Sequence, residues 1–464
     1  MSGEPRHRQF GSGAIQAWLD RLRSSLWVIP GAFAIGAAIG AFVLVPLDRL
    51  VDQSVAGNLS GVLFAGGPES ARLVLSTISA AMLTFTGLVF TVTMLVLQQA
   101  SSQLSPRVMR TFLRDRVNQA VLGLFVATFL FSLLVLREVR SPPTGSSFVP
   151  AIAVTVAYLL LVASVGAFVY YIHHMAQSIR AVSVLRSVGD ETRAAIARLY
   201  PEGVGDEPED APAALPTRAP DRVLTLEHGP GVITSVDDAQ LMVLAREHQL
   251  TVELLYLVGD FVPHGAPLLT LWSRADGGLP ADLPIDRLAG TIQLGLERTM
   301  TEDVACGFRQ IVDIAERALS PGINDPSTAL QGLDQLHDLL RRLAVRSIPS
   351  PFRLDEDGTV LLCLRRPDWP DYVALAIDEI RQFGSGSIQI ARRLRHLLLD
   401  LQAVAPPSRQ APLSRQLRLL DADLAQAFAF QEDRLAAARP SPSGQGPTAS
   451  PIPLTERPAA PPAP

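Results

Sequence analysis

Four stretches of the chain carry no charged side chain: 26–47, 73–97, 120–136 and 148–172. Each is long enough to cross a hydrocarbon core of about 30 Å, the third only just. The pattern therefore predicts four transmembrane helices packed as a bundle over 26–172, behind an N-terminal segment 1–25. The first apolar run is too long for a signal peptide, and Pro46-Leu47-Asp48 at its end offers no small-residue cleavage site, so it reads as a retained anchor.

Beyond the last span the texture changes. Residues 173–200 read as a helical connector with Ile179, Val182, Leu185, Ile196 and Leu199 apolar, and 201–220, rich in proline and acid, as a linker. A β-rich part follows over 221–289, with short strands at 223–226, 231–236, 252–257 and 268–272. Between them a helix at 237–248 should turn Ala239, Leu241 and Leu244 inward. A helical part, 290–345, reads as two helices (290–319 and 326–343) around the turn Ser320-Pro-Gly-Ile-Asn-Asp-Pro326. Asp325 is placed to cap the second helix, and Gly322 permits positive φ. A mixed part, 346–438, holds a strand at 359–364, a long helix at 372–401 with the basic cluster Arg392, Arg393, Arg395 and His396, and a last helix at 414–438. The Pro/Ser/Ala tail 439–464 is expected to be disordered. The predicted fold class is an α-helical integral membrane bundle of four transmembrane helices followed by an α+β cytoplasmic domain.

Composition agrees with a membrane protein: 48% of the 464 residues are hydrophobic and 18% charged, with a mean hydropathy of +0.24. Every one of the 40 basic residues is arginine, and 45 acids leave a net charge of −5. That balance argues against a nucleic-acid binder, and the lack of lysine excludes Schiff-base, lipoyl and biotinyl chemistry. Cys306 and Cys363 stand too far apart for a paired metal or disulfide motif, so no metal site and no cofactor are expected. Arginines concentrate at 6–23, 107–116 and 180–198 and are sparse in the two other loops. Both termini are therefore expected on the cytoplasmic side of a bacterial inner membrane.

Several motifs carry candidate chemistry. Ala32, Gly36 and Gly40 repeat at four-residue steps, which suits close helix packing within the bundle or a homodimer seam. In the second span, Thr77, Thr84, Thr91 and Gln98 form one seven-residue series, and Ser79, Thr86 and Thr93 another about 200° away. The hydroxyls either bond back to the carbonyl a turn earlier or line a hydrated path. Ser105-Pro106 opens a short interfacial helix whose Arg107, Arg110 and Arg114 share a face; topology alone explains them, and anionic lipid head groups are the alternative partner. His173 and His174 close the last span at the interface. Asp303, Arg309 and Asp313, with Asn324 and Asp325 in the turn, form either a solvated, mutually paired face or an inward network.

The stretch 257–268, with Gly259-Asp260 and Gly265, resembles the second half of a barrel-sandwich hybrid as in biotinyl and lipoyl carriers. The modified lysine is missing, so no covalent carrier modification is expected. Further motifs resemble one family as a set: Gln103-Leu-Ser-Pro-Arg107, His173-His174, Gly259-Asp-Phe-Val262, Arg309-Gln-Ile-Val-Asp313, and above all Ala318-Leu-Ser-Pro-Gly-Ile-Asn-Asp-Pro326. Over about residues 20 to 430 the chain resembles the bacterial predicted membrane proteins grouped as domain of unknown function 2254. The resemblance implies a multi-span inner-membrane protein and carries over no catalytic role.

With no nucleophile elbow, His-Glu-x-x-His or phosphate loop, an enzyme is not expected. The first expectation is a channel- or transporter-like homo-oligomer, because four spans cannot easily enclose a path alone. The alternative is a membrane-anchored sensor or scaffold that binds a ligand or partner through its cytoplasmic domain.

Overall fold

The computed structural model describes residues 28–51, 64–103, 115–140, 148–178, 180–202, 214–227, 229–275, 278–280 and 282–444. The expected N-terminal segment 1–25, the arginines at 107, 110 and 114, most of the linker 201–220 and the tail from 445 lie outside them. The chain divides into two compact units, 1–183 and 184–464.

The first unit holds α1 (Val28–Val51), α2 (Pro68–Gln103), α3 (Arg116–Glu138) and α4 (Ala151–Ser178). All four are long and apolar enough to cross a membrane. The shortest predicted span, α3, is the central one: it packs on α1, α2 and α4, and Phe125, Phe131 and Val135 are buried. Gly123 makes one of these contacts possible, since a Cβ there would come within 3.1–3.3 Å of Pro30 and Phe33. Gly36, in contrast, faces open space, so that part of the small-residue repeat is not used for packing inside the bundle.

The helices run past their charge-free windows, and one acid thereby enters the bundle. Asp48, in the last turns of α1, is buried; its two oxygens accept from the backbone N–H groups of Ile152 (2.8 Å) and Ala153 (3.0 Å). The first N–H groups of a helix have no partner within it and carry the positive end of its dipole, so a carboxylate there is stabilised. A carboxylate placed near an apolar span is thus explained as the cap of α4.

The second unit is entered through α5 (Ala181–Leu199), whose buried Val184, Leu185, Val188, Thr192, Ala195 and Ile196 follow a helical period. Then come β1 (Arg222–Thr225), β2 (Gly231–Val236), α6 (Asp238–Glu247), β3 (Leu250–Leu254), β4 (Phe261–Val262), β5 (Pro267–Ser273), α7 (Ile285–Gly290) and β6 (Ile292–Gly295). The rest is α8 (Val304–Leu319), α9 (Pro326–Ala344), β7 (Phe352–Leu354), β8 (Val360–Leu364), α10 (Trp369–Gly384), α11 (Ile388–Val404), α12 (Gln410–Ala427) and α13 (Gln431–Ala437). One sheet has the order β1-β5-β3-β8-β7, the other β4-β2-β6. β3 and β8 pair in parallel, Val252 against Leu362 and Leu254 against Leu364. A parallel pair needs a long crossover, and here it contains α8 and α9.

The structure departs from the sequence reading at several elements. Residues 291–303 are not helical: Ile292–Gly295 pairs with β2, and the helix starts only where Asp303 caps it. The helix expected over 372–401 breaks at Ser385-Gly386-Ser387, and that over 414–438 breaks after Ala427. In α6 it is Leu241, Leu244 and Ala245 that are buried, while Ala239 is exposed. No barrel-sandwich forms, because β4 and β5 join different sheets. Residues 439–444 are described, with the Ser441 N–H donating to the Arg392 carbonyl (3.3 Å). In the basic cluster of α11, Arg393 is buried and pairs with Asp334 (2.9 Å), and Arg395 pairs with Asp421.

Candidate functional site

A cavity of ≈ 180 Å³ lies inside the second unit, room for about six waters at about 30 Å³ each. Leu199 and Tyr200, at the end of α5, form one wall. Val236, Leu254, Val258 and Leu364, from strands and the turn after β3, form an apolar wall. Glu302, Asp303 and Val304 close it from the start of α8, Arg366 from the segment after β8, and Tyr372 from the first turn of α10.

The hydroxyls of Tyr200 and Tyr372 are 2.6 Å apart and both residues are buried. Burial pushes both phenols above their ordinary value, so each keeps its proton at neutral pH. Only one of the two O–H protons can therefore serve their mutual hydrogen bond. Phe308 of α8 packs on Tyr372 with ring centres 5.2 Å apart, which fixes its ring.

The charged groups around the cavity are unequally satisfied. Asp303 accepts from the Cys306 N–H (3.0 Å) as the cap of α8, and from Arg298 Nε (2.8 Å). Burial nevertheless raises its pKa above the usual carboxylate value, with Arg298 opposing. Gly259, at φ +101, passes so close that a Cβ there would overlap the Asp303 carboxylate; only glycine fits both the angle and the space. Glu302 accepts from the Val236 N–H (3.1 Å), and partial burial of its carboxyl group raises its pKa. Arg365 donates to the buried Glu253 (2.9 Å). Arg366 forms no ion pair or hydrogen bond among the described residues.

The residues singled out from sequence fall into separate places. Asp303 is part of the cavity. Arg309 lies six residues on, about 240° around the helix, and binds three carboxylates instead: Asp313 (2.5 Å), Glu316 (3.2 Å) and Glu379 of α10 (2.6 Å). Asn324 has φ 48 and Gly322 does not have positive φ; the turn places its left-handed residue two positions later than expected. Asp325 caps α9, accepting from Thr328 N (3.2 Å) and Thr328 Oγ1 (2.6 Å).

In the first unit, Thr77, Thr84 and Thr91 each donate to the carbonyl four residues back (2.7, 3.0 and 2.9 Å). They and Gln98 lie on the outer face of α2. The other series turns inward, and Thr93 meets the Tyr171 hydroxyl at 2.8 Å. His174 Nε2 lies 2.5 Å from Asp115 Oδ2, while His173 is exposed. Among the described residues no group of three or more His, Cys, Asp or Glu side chains is placed to hold a metal ion.

A profile of the family described as predicted membrane protein (DUF2254) matches residues 23–400. The chain belongs to this family. Uncharacterized proteins of Mycobacterium tuberculosis and Mycobacterium bovis are each 36% identical to it over 427 residues, covering 90% of this chain and 80% of theirs. No solved structure matches the chain. The cavity residues Arg366, Tyr200 and Tyr372 escaped sequence reading; Arg366 stands in a plain Arg365-Arg366-Pro367 run, and the tyrosines are 172 positions apart.

The Arg309 cluster makes a pH-dependent prediction. Partial burial, and then the neighbouring Glu379, already raise the pKa of Glu316. In Arg309→Met the three carboxylates face one another, so the folded state should retain a proton that the unfolded chain loses above about pH 4.3. Stability then falls as pH rises through that window. The expected loss at pH 7.5 is about 1–2 kcal/mol for these partly exposed groups, or roughly 2–6 °C in Tm, and less at pH 5. Equal deficits at the two pH values would sink this account.

Proposed function

We propose that the protein is a membrane-anchored sensor, not an enzyme, whose second unit binds a small solute on the cytoplasmic side of the bacterial inner membrane. One observation carries the reading: Tyr200, which lines the cavity, directly follows the helix α5, and α5 directly succeeds the last span α4 in the chain. A solute that orders Tyr200 therefore acts on the segment leading to the membrane. The arginine count of the loops supports the orientation, and Arg107, Arg110 and Arg114 would face anionic lipid.

A second reading, a channel-like homo-oligomer, is favoured by the threonine stripe on the outer face of α2. A hydroxylated stripe facing away from its own bundle suits a contact between copies or a path shared by them.

Full-length protein in nanodiscs, screened by thermal shift against small anionic, cationic and neutral solutes, tests the first reading. At least one solute should raise Tm in the wild type and fail to do so in Val258→Trp, which fills the cavity. If no solute shifts Tm, or if Val258→Trp responds as the wild type does, the sensor reading falls. Potassium or chloride flux through proteoliposomes that vanishes in Thr84→Val/Thr91→Val would transfer the function to the stripe.

A further inference from the structure

The cavity is chemically one-sided. Its acids are occupied: Asp303 by Arg298 and the Cys306 N–H, Glu302 by the Val236 N–H, and Asp238 by Arg353, at 3.8 Å. Arg366 forms no hydrogen bond or close ion pair among the described residues, and its charge reaches the Glu302 carboxylate only at longer range. Beside it the buried tyrosine pair holds one O–H proton more than its mutual hydrogen bond uses. An unused buried donor is costly when left without an acceptor, and the half-buried Arg366 guanidinium keeps its donors open to one. Leu254, Val258 and Leu364 contribute apolar side chains to the same lining.

We propose that the cavity binds a small organic anion, its carboxylate or phosphate group against Arg366 and the Tyr200–Tyr372 hydroxyls and its apolar body against Leu254, Val258 and Leu364. The assignment rests on the sensor reading and specifies its ligand class. A guanidinium suits either group, since its fork matches two oxygens of a carboxylate or a phosphate. The cavity volume limits the ligand to a compact acid, and a nucleotide is too large.

The test is isothermal titration of full-length protein in uncharged-lipid nanodiscs with benzoate, hexanoate, phenyl phosphate and the neutral isostere benzamide. Benzoate or phenyl phosphate should bind at least about tenfold more tightly than benzamide, the difference expected for a charge-assisted contact; which of the two binds identifies the anionic group. Arg366→Gln should weaken binding about tenfold or more and Tyr200→Phe about threefold or more. Arg366→Gln should also melt close to the wild type without ligand, because Arg366 makes no hydrogen bond or close ion pair and loses only its longer-range attraction to Glu302, which separates lost recognition from lost folding.

Benzamide binding as well as benzoate, or an Arg366→Gln variant with wild-type affinity, overturns the anion assignment. If Val258→Trp still abolishes binding of a neutral or cationic solute in that case, the sensor reading survives and only the ligand class fails.

Discussion

Asp303→Ala is expected to destabilise the second unit by about 3 kcal/mol, lowering its Tm by roughly 6–12 °C. Two losses add. The Cys306 N–H, one of the first donors of α8, loses its cap, which costs about 1 kcal/mol. Arg298 loses the carboxylate that its Nε contacts at 2.8 Å. Breaking a fully buried pair costs about 3–5 kcal/mol, and the 28% exposure of the Arg298 side chain reduces this to about 2 kcal/mol by letting water in. Asp303→Asn should lose about half as much, since its amide oxygen still caps the helix and only the ionic partner is gone. The buried Trp272 and Trp369 provide a fluorescence readout of this unit in the full-length protein. A shift under about 2 °C for the alanine variant would mean that water replaces both contacts.

Asp303 and Asp325 show what a sequence can display. A short acidic side chain ahead of an apolar-periodic run announces a helix start: Asp325 reads so and caps its helix, whereas Asp303, which reads as lying inside a helix from 290, proves to be the cap of α8. The four long apolar helices were legible for a similar reason: a chain that is to cross lipid needs long uninterrupted apolar runs, and few other environments demand them. The direction in which a periodic face points was not legible. The two hydroxyl series of α2 are equivalent by spacing, yet Ser79 is buried in the bundle and Thr77 lies outside. That choice depends on Tyr171, whose hydroxyl meets Thr93 from another helix. The cavity was hidden more deeply, because its walls come from α5, β3, α8 and the segment after β8, joined by a parallel pairing of strands far apart in the chain. The boundary at 290–303 was misread because Ile292 to Gly295 is apolar enough for either element, and only pairing with β2 decides it.

Gly307→Ala exposes the same dependence on distant partners. In an isolated helix this substitution gains about 1 kcal/mol. Here the new Cβ would overlap Thr192 Oγ1 and come within 2.9 Å of the Thr192 Cβ and Cγ2. Thr192 cannot yield: it is fully buried and its hydroxyl donates to the Val188 carbonyl at 2.6 Å. The helices α5 and α8 must therefore separate. Overpacking of this kind costs about 3 kcal/mol, leaving a net loss of about 2 kcal/mol after the propensity gain, or roughly 4–8 °C in Tm. The decisive comparison is Thr192→Ala/Gly307→Ala. If the collision is the cause, the second substitution restores stability instead of subtracting more, a coupling that independent sites do not show. Additive losses would place the damage elsewhere. The cavity supplies a second readout, since Tyr200 directly follows α5 while Asp303 starts α8. Separating these helices pulls the Tyr200 hydroxyl from Tyr372 and misplaces the donor proposed for the anion. Affinity for benzoate or phenyl phosphate should fall in Gly307→Ala and return in the double variant, in step with Tm, because both follow from one helix–helix distance.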